Sequence, residues 1–112
     1  MENLNNILQT RVNFSIPADL MKNYKEIASR ENLSLSKAIT QFMLNYTDYL
    51  DNSFFKTKDL LKGKKDTFLF FTSEEIAERF KEKTEREKVR PNMVIAQFMK
   101  NYIDFTNMNE ES

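Results

Sequence analysis

Reactive side chains are scarce in this chain. It contains no His and no Cys, which removes imidazole bases, thiolate nucleophiles, disulfides and the usual zinc and haem ligands. One Gly leaves nothing from which to build a glycine-rich phosphate loop. Carboxylates, Lys, Tyr and hydroxyls remain, and none clusters at a spacing that suggests catalysis. Neither enzymatic activity nor a cofactor or metal is expected. Glu74, Glu75, Glu78, Glu82, Glu85 and Glu87 interleave with Arg79, Lys81, Lys83, Arg86 and Lys88, as on a solvent-exposed, salt-bridged helix face. Three other sets are better suited to holding a partner than to transforming one. Arg11, Asn13 and Ser15 alternate along an extended stretch. Ser34, Ser36 and Lys37, with Arg90 and Asn92, sit where helices are expected to begin. Lys56, Lys58, Lys62, Lys64 and Lys65 form a local basic run, either a solvated loop or a contact for phosphates.

The elements that must position these groups are read from a chain of 112 residues, enough for one small domain. Seventeen Lys plus Arg balance seventeen Asp plus Glu, so no global field announces a polyanionic partner. One Gly and two Pro fit poorly with a barrel or sandwich and point to a mostly helical class. No stretch approaches a membrane span, and the N-terminus lacks a secretory pattern, so a cytoplasmic location is expected.

The chain repeats itself. Shifting it by 56 residues lays Arg11–Leu50 on Thr67–Thr106 without a gap, with twelve identities in forty positions. The densest match is QFMLNYTDY against QFMKNYIDF. Residues 1–10 then form an N-terminal arm, 11–50 a first unit, 51–66 a basic connector, 67–106 a second unit and 107–112 a tail. In unit one, Arg11–Ile16 alternates polar and apolar, as a half-buried strand does. Pro17 suits a first helical turn. Leu20, Tyr24, Ile27 and Ala28 then fall at helical spacing. Ser34 is the expected N-cap of a second helix carrying Ala38, Ile39, Phe42, Met43, Tyr46, Tyr49 and Leu50 on one stripe. Unit two repeats the plan: Thr72–Glu75 has the form of a capping box, Ile76, Phe80 and Thr84 point inward, and Pro91 opens the last helix. Its strand, Thr67–Phe71, is apolar on both faces. Phe54, Phe55, Leu60 and Leu61 in the connector suggest a short helical turn packed on the body.

A lone unit has too little interior to offset its ordering entropy, and a lone strand leaves its backbone groups unpaired. The economical solution pairs the two strands as an antiparallel ribbon about a pseudo-twofold axis, four helices beneath it. At this point RVNFSIPADLMKNYKEIASRENLSLSKAITQFMLNY resembles the ribbon-helix-helix, Arc/MetJ-type, DNA-binding family. The resemblance covers about 80 residues over both copies. Members of that family are normally homodimers, so the tandem copy looks like a single-chain pseudo-dimer, an arrangement similar to certain regulators of archaeal filamentous viruses.

The resemblance implies a sequence-specific regulator of transcription, expected to act as a repressor, whose partner is double-stranded DNA, in the host cytoplasm if viral. A two-stranded ribbon fits the major groove. Its base-reading positions are then Arg11, Asn13 and Ser15, and by the repeat offset Thr67, Leu69 and Phe71. Arg can pair with guanine and Asn with adenine, whereas the second set offers methyl and ring contacts suited to thymine. A solvated face would alternate in the same way, and a one-residue slip would turn Phe68 and Phe70 outward instead. Phosphate contacts are expected from Ser34, Ser36, Lys37, Arg90, Asn92, Lys64 and Lys65, since helix N-termini favour anions. Neutral net charge weakens non-specific binding, so pseudo-dimers are expected to associate along DNA. No membrane contact and no small-molecule ligand are expected. Two other functions fit the same fold: a protein-docking module using the apolar second strand, and an antitoxin or copy-number regulator, although only a short tail follows the last helix.

Overall fold

The computed structural model describes residues 10–51 and 60–111. The elements run β1 (Thr10–Pro17), α1 (Ala18–Arg30), α2 (Leu35–Tyr49), β2 (Lys65–Thr72), α3 (Glu74–Arg86) and α4 (Pro91–Glu111). The protein is mostly helical with a two-stranded antiparallel sheet. Asn13 lies opposite Leu69, flanked by the pairs Arg11/Phe71 and Ser15/Thr67. The central pair is thus 69 − 13 = 56 residues apart, the offset of the sequence repeat.

Strand alternation decides what each face carries. Val12, Phe14 and Ile16 of β1 face the helices, and β2 sends Phe68, Phe70 and Thr72 to the same side. The slipped alternative is overturned, because Phe68 and Phe70 are 0% and 1% exposed. A slip would take both rings out of the interior, and burying an aromatic ring is among the largest single contributions a core residue makes. Phe14 stacks on Phe70 with ring centroids 5.9 Å apart.

Several helix ends differ from expectation. Pro17 ends β1 and occupies the N-cap, one residue before the helix proper. The N–H of Ala18 instead donates to the Lys64 carbonyl at 2.9 Å, tying α1 to the chain entering β2. Thr72 does not cap α3. Alternation pulls it into the core, where its hydroxyl shares a 2.7 Å hydrogen bond with Thr40. Ser73 caps instead, accepting from the Ile76 N–H, so the position for a reciprocal Glu is occupied by Ile76. Ser34 caps α2 and accepts from the Lys37 N–H at 3.3 Å. Both helix-to-helix turns close in the same manner: Asn32 and Lys88, again 56 residues apart, adopt φ of 58° and 60°. The N–H groups of Leu33 and Val89 return to the carbonyls of Ala28 and Thr84, the Schellman closure.

Below the ribbon, α1 packs on α4 and α2 on α3, so each unit's first helix packs on the other unit's second. Phe42 and Phe98 stack at 4.3 Å and 22°. Tyr24 meets Tyr102 edge-on at 5.7 Å, and Phe80 meets Tyr46 likewise at 5.7 Å. The Tyr46 hydroxyl donates to Glu87 at 2.7 Å, and the Tyr102 hydroxyl donates to Glu31. Burial, with these carboxylates as acceptors, pushes the Tyr102 phenol up to about 12 and the Tyr46 phenol higher still; for Tyr24, burial and then Tyr102 raise it. Met21 takes the buried place expected for Leu20, which is half-buried. Tyr49, the last residue of α2, is exposed. The segment expected as a tail continues α4 to Glu111. Leu60 and Leu61 pack against the core; the N-terminal arm apart from Thr10, and Phe54, Phe55, Lys56 and Lys58 of the connector, lie outside the described residues. Among the described residues no helix is long and apolar enough to cross a membrane.

Candidate nucleic-acid interface

Because the period of a strand is two, the face of the ribbon turned away from the helices carries Arg11, Asn13 and Ser15 from β1 and Thr67, Leu69 and Phe71 from β2. All six are exposed, Leu69 at 41% and Phe71 at 44%. They stand in three rows of two, Arg11 beside Phe71, Asn13 beside Leu69 and Ser15 beside Thr67. Each row pairs a polar side chain of β1 with a residue of β2, and the middle and Arg11 rows are half apolar. The one formal charge among the six is the Arg11 guanidinium.

The first turns of α2 and α4 abut opposite strands near opposite ends of the ribbon. Ser36 Oγ accepts from the Phe71 N–H at 3.1 Å, and Asn92 Nδ2 donates to the Ser15 carbonyl at 3.2 Å. A two-stranded sheet has two edges, each with backbone groups that no strand pairs; these two side chains satisfy one such group on each edge. Ser36 and Asn92 occupy equivalent repeat positions, as do Ser15 and Phe71. Sequence reasoning placed Ser36 and Asn92 as phosphate donors and missed this fastening role. The signal was present, since both copies keep a short polar residue at that site.

The remaining predicted contacts ring the ribbon. Lys37 and Arg90 are exposed at the starts of α2 and α4. Lys65 opens β2 opposite Pro17, with Lys64 just before it; both are exposed. Ser34 Oγ is engaged in its cap. The two helix starts are unequal: Pro91 supplies no amide, whereas Leu35 does, so α2 offers one more first-turn donor to an anion. Asp66, between Lys65 and Thr67, turns a carboxylate oxygen onto the Thr67 N–H at 2.8 Å.

The arrangement can present a row of hydrogen-bond donors and acceptors, a parallel apolar row, and cationic and amide donors around them. Among the described residues no group of three or more His, Cys, Asp or Glu could hold a metal ion. Comparison with protein-family models, with curated proteins and with solved structures finds no match.

Proposed function

We propose that the protein is a single-chain ribbon-helix-helix regulator that inserts its ribbon into the major groove of double-stranded DNA and acts as a repressor by occluding a promoter. The observation that carries this reading is the exposed ribbon face, with Arg11, Asn13 and Ser15 opposite the core and a helix N-terminus fastened beside each end. A pseudo-twofold axis relates the two halves in this reading. Its support is that residues meet their own repeat copies: Asn13 opposite Leu69, Phe14 against Phe70 and Phe42 against Phe98.

In the groove, Arg11 pairs with a guanine edge and Asn13 with an adenine edge, while Leu69, Phe71 and the Thr67 methyl touch thymine methyl groups. Lys37, Arg90, Lys64 and Lys65, with the amides at the start of α2, hold phosphates and set the register. One polar and one apolar strand imply an asymmetric operator. Zero net charge implies weak non-specific affinity and side-by-side binding of several molecules.

The test is footprinting on genomic or random-sequence duplexes, followed by titration of the selected site. Arg11→Ala with Asn13→Ala is expected to weaken specific binding at least tenfold, about 1–3 kcal/mol being held in each bidentate pair, with the thermal transition unchanged. The exposed pair Leu69 and Phe71 supports a second reading, docking of another protein on β2. A chain that ignores duplex DNA at low salt and associates through this strand would favour it.

A further inference from the structure

Beneath β1 lies a cleft of about 310 Å³ lined by Val12, Phe14, Met43, Ala77, Phe80 and Lys81. The positions 56 residues away, in the same order, are Phe68, Phe70, Met99, Met21, Tyr24 and Lys25. There the corresponding space is filled. Phe68 is 0% and Met21 6% exposed, and the Lys25 ammonium lies 5.8 Å from the centroid of the Phe68 ring. Under β1 the ring is replaced by a Val and the Met by an Ala, two truncations on facing elements, and Lys81 lines the cleft with no ring of the described residues in the place that Phe68 takes beneath Lys25.

We propose that this cleft is a binding site for a flat, electron-rich aromatic ring of a small molecule, seated where the other half of the protein places its own Phe68. Four features support the assignment. An apolar cavity of about 150 Å³ is enough to take a benzene ring, and this cleft is larger. Its walls are two aromatic side chains, a Met, a Pro and small aliphatic groups, which suit a ring and offer water few partners. Lys81 can lie over the ring face as Lys25 does over Phe68, an attraction that is strongest for indole. Glu78, also lining the cleft, offers a carboxylate to a ring N–H or O–H. The proposal departs from the expectation from sequence that no small molecule binds; neither strand pattern nor helix pattern reveals which of two equivalent sites is underfilled. The inference does not depend on DNA binding.

The experiment is titration of the full chain with indole, followed by heteronuclear NMR and calorimetry. Saturable binding is expected, with a dissociation constant below about 1 mM for a ring of this size and shifts centred on Val12 and Ala77. Lys81→Met is expected to weaken it about two- to fivefold. Val12→Phe with Ala77→Met, which imports the filling of the other half, is expected to abolish binding and raise Tm; Ala77→Met alone gives the same readout if the pair does not fold. Four results would overturn the proposal: no saturable binding; binding that survives filling of the cleft; equal affinity for cyclohexanol, which has no π face; or binding that arises only in Ile7→Ser with Leu8→Ser, which would assign the cleft to the chain's own N-terminal segment.

Discussion

Lys88 adopts φ 60° at the turn between α3 and α4, a conformation that costs an L-residue with a Cβ roughly 1–2 kcal/mol and glycine little. Its repeat counterpart is Asn32, a residue type that tolerates this region better. Lys88→Gly is therefore expected to stabilise the fold by about 0.5–1 kcal/mol, read as a higher urea midpoint at constant slope. The pair Thr40 and Thr72 makes a sharper case. The equivalent pair in the other half is Ala96 and Ile16, both fully buried. Thr40→Ala alone leaves the Thr72 hydroxyl without its partner in the interior and is expected to cost about 1–3 kcal/mol. Adding Thr72→Ile copies the apolar solution and is expected to recover most of that loss in the same denaturation measurement. The tyrosines make stability depend on pH at the alkaline end. Their phenols hold protons more tightly when folded than the ordinary value of 10.0, Tyr102 up to about 12. The stability this contributes is complete below about pH 10, where the unfolded chain also keeps its protons, and is lost as pH rises through the folded value. Melting temperatures between pH 8 and 12 are expected to fall less steeply for Tyr46→Phe with Tyr102→Phe than for the native chain.

At the scale of elements, the ribbon is a sheet with two edges and two strands, which is marginal by itself. Ser36 and Asn92 fasten its edges to the helices, and Phe68, Phe70 and Ile16 anchor its inner face. The ribbon is thereby tied to the helices without using any of the six side chains exposed on its outer face. The ends of α2 and α4 differ for a local reason. Lys83 Nζ donates to the carbonyls of Tyr46 at 2.7 Å, Thr47 at 3.2 Å and Leu50, and lies 5.1 Å from the Tyr46 ring centroid. A cation beside these carbonyls, of which that of Tyr46 also accepts the Leu50 N–H, complements the end of α2 after Tyr49. The equivalent position is Ile27, buried and without a donor, and α4 runs on to Glu111. Substituting Asn92→Ala removes one fastening while leaving the exposed face intact. Its expected signature is faster amide exchange in β1 with little change in global stability.

For the whole molecule, the exchange of helix contacts is decisive. With α1 on α4 and α2 on α3, separating the halves would expose both the ribbon's paired edge and the aromatic centre around Phe42 and Phe98. Neither half keeps a closed interior. Residues 1–56 and 57–112 produced as separate chains are each expected to lack a cooperative thermal transition, and their mixture to regain one whose midpoint rises with concentration. A half that melts cooperatively alone would contradict this.

The strands, the helices and their order were legible in the sequence because periods of two and 3.6 are local signals, and the 56-residue repeat told where each element recurs. The six outward positions of the ribbon followed from alternation once the strands were assumed to pair. Helix starts were legible only where no other demand competed. Ser34 caps as expected, but Thr72 was claimed by the core and its neighbour Ser73 took over the cap, a choice that depends on Thr40, 32 residues away. The roles of Ser36 and Asn92, the cap supplied by Lys83 and the underfilled space beneath Val12 were likewise beyond local reading. Sequence pattern determined which face of each element is apolar, because that depends on spacing along one chain; tertiary structure alone decided which polar groups were already used and which volume stayed open, because both depend on what a distant segment brings within contact distance.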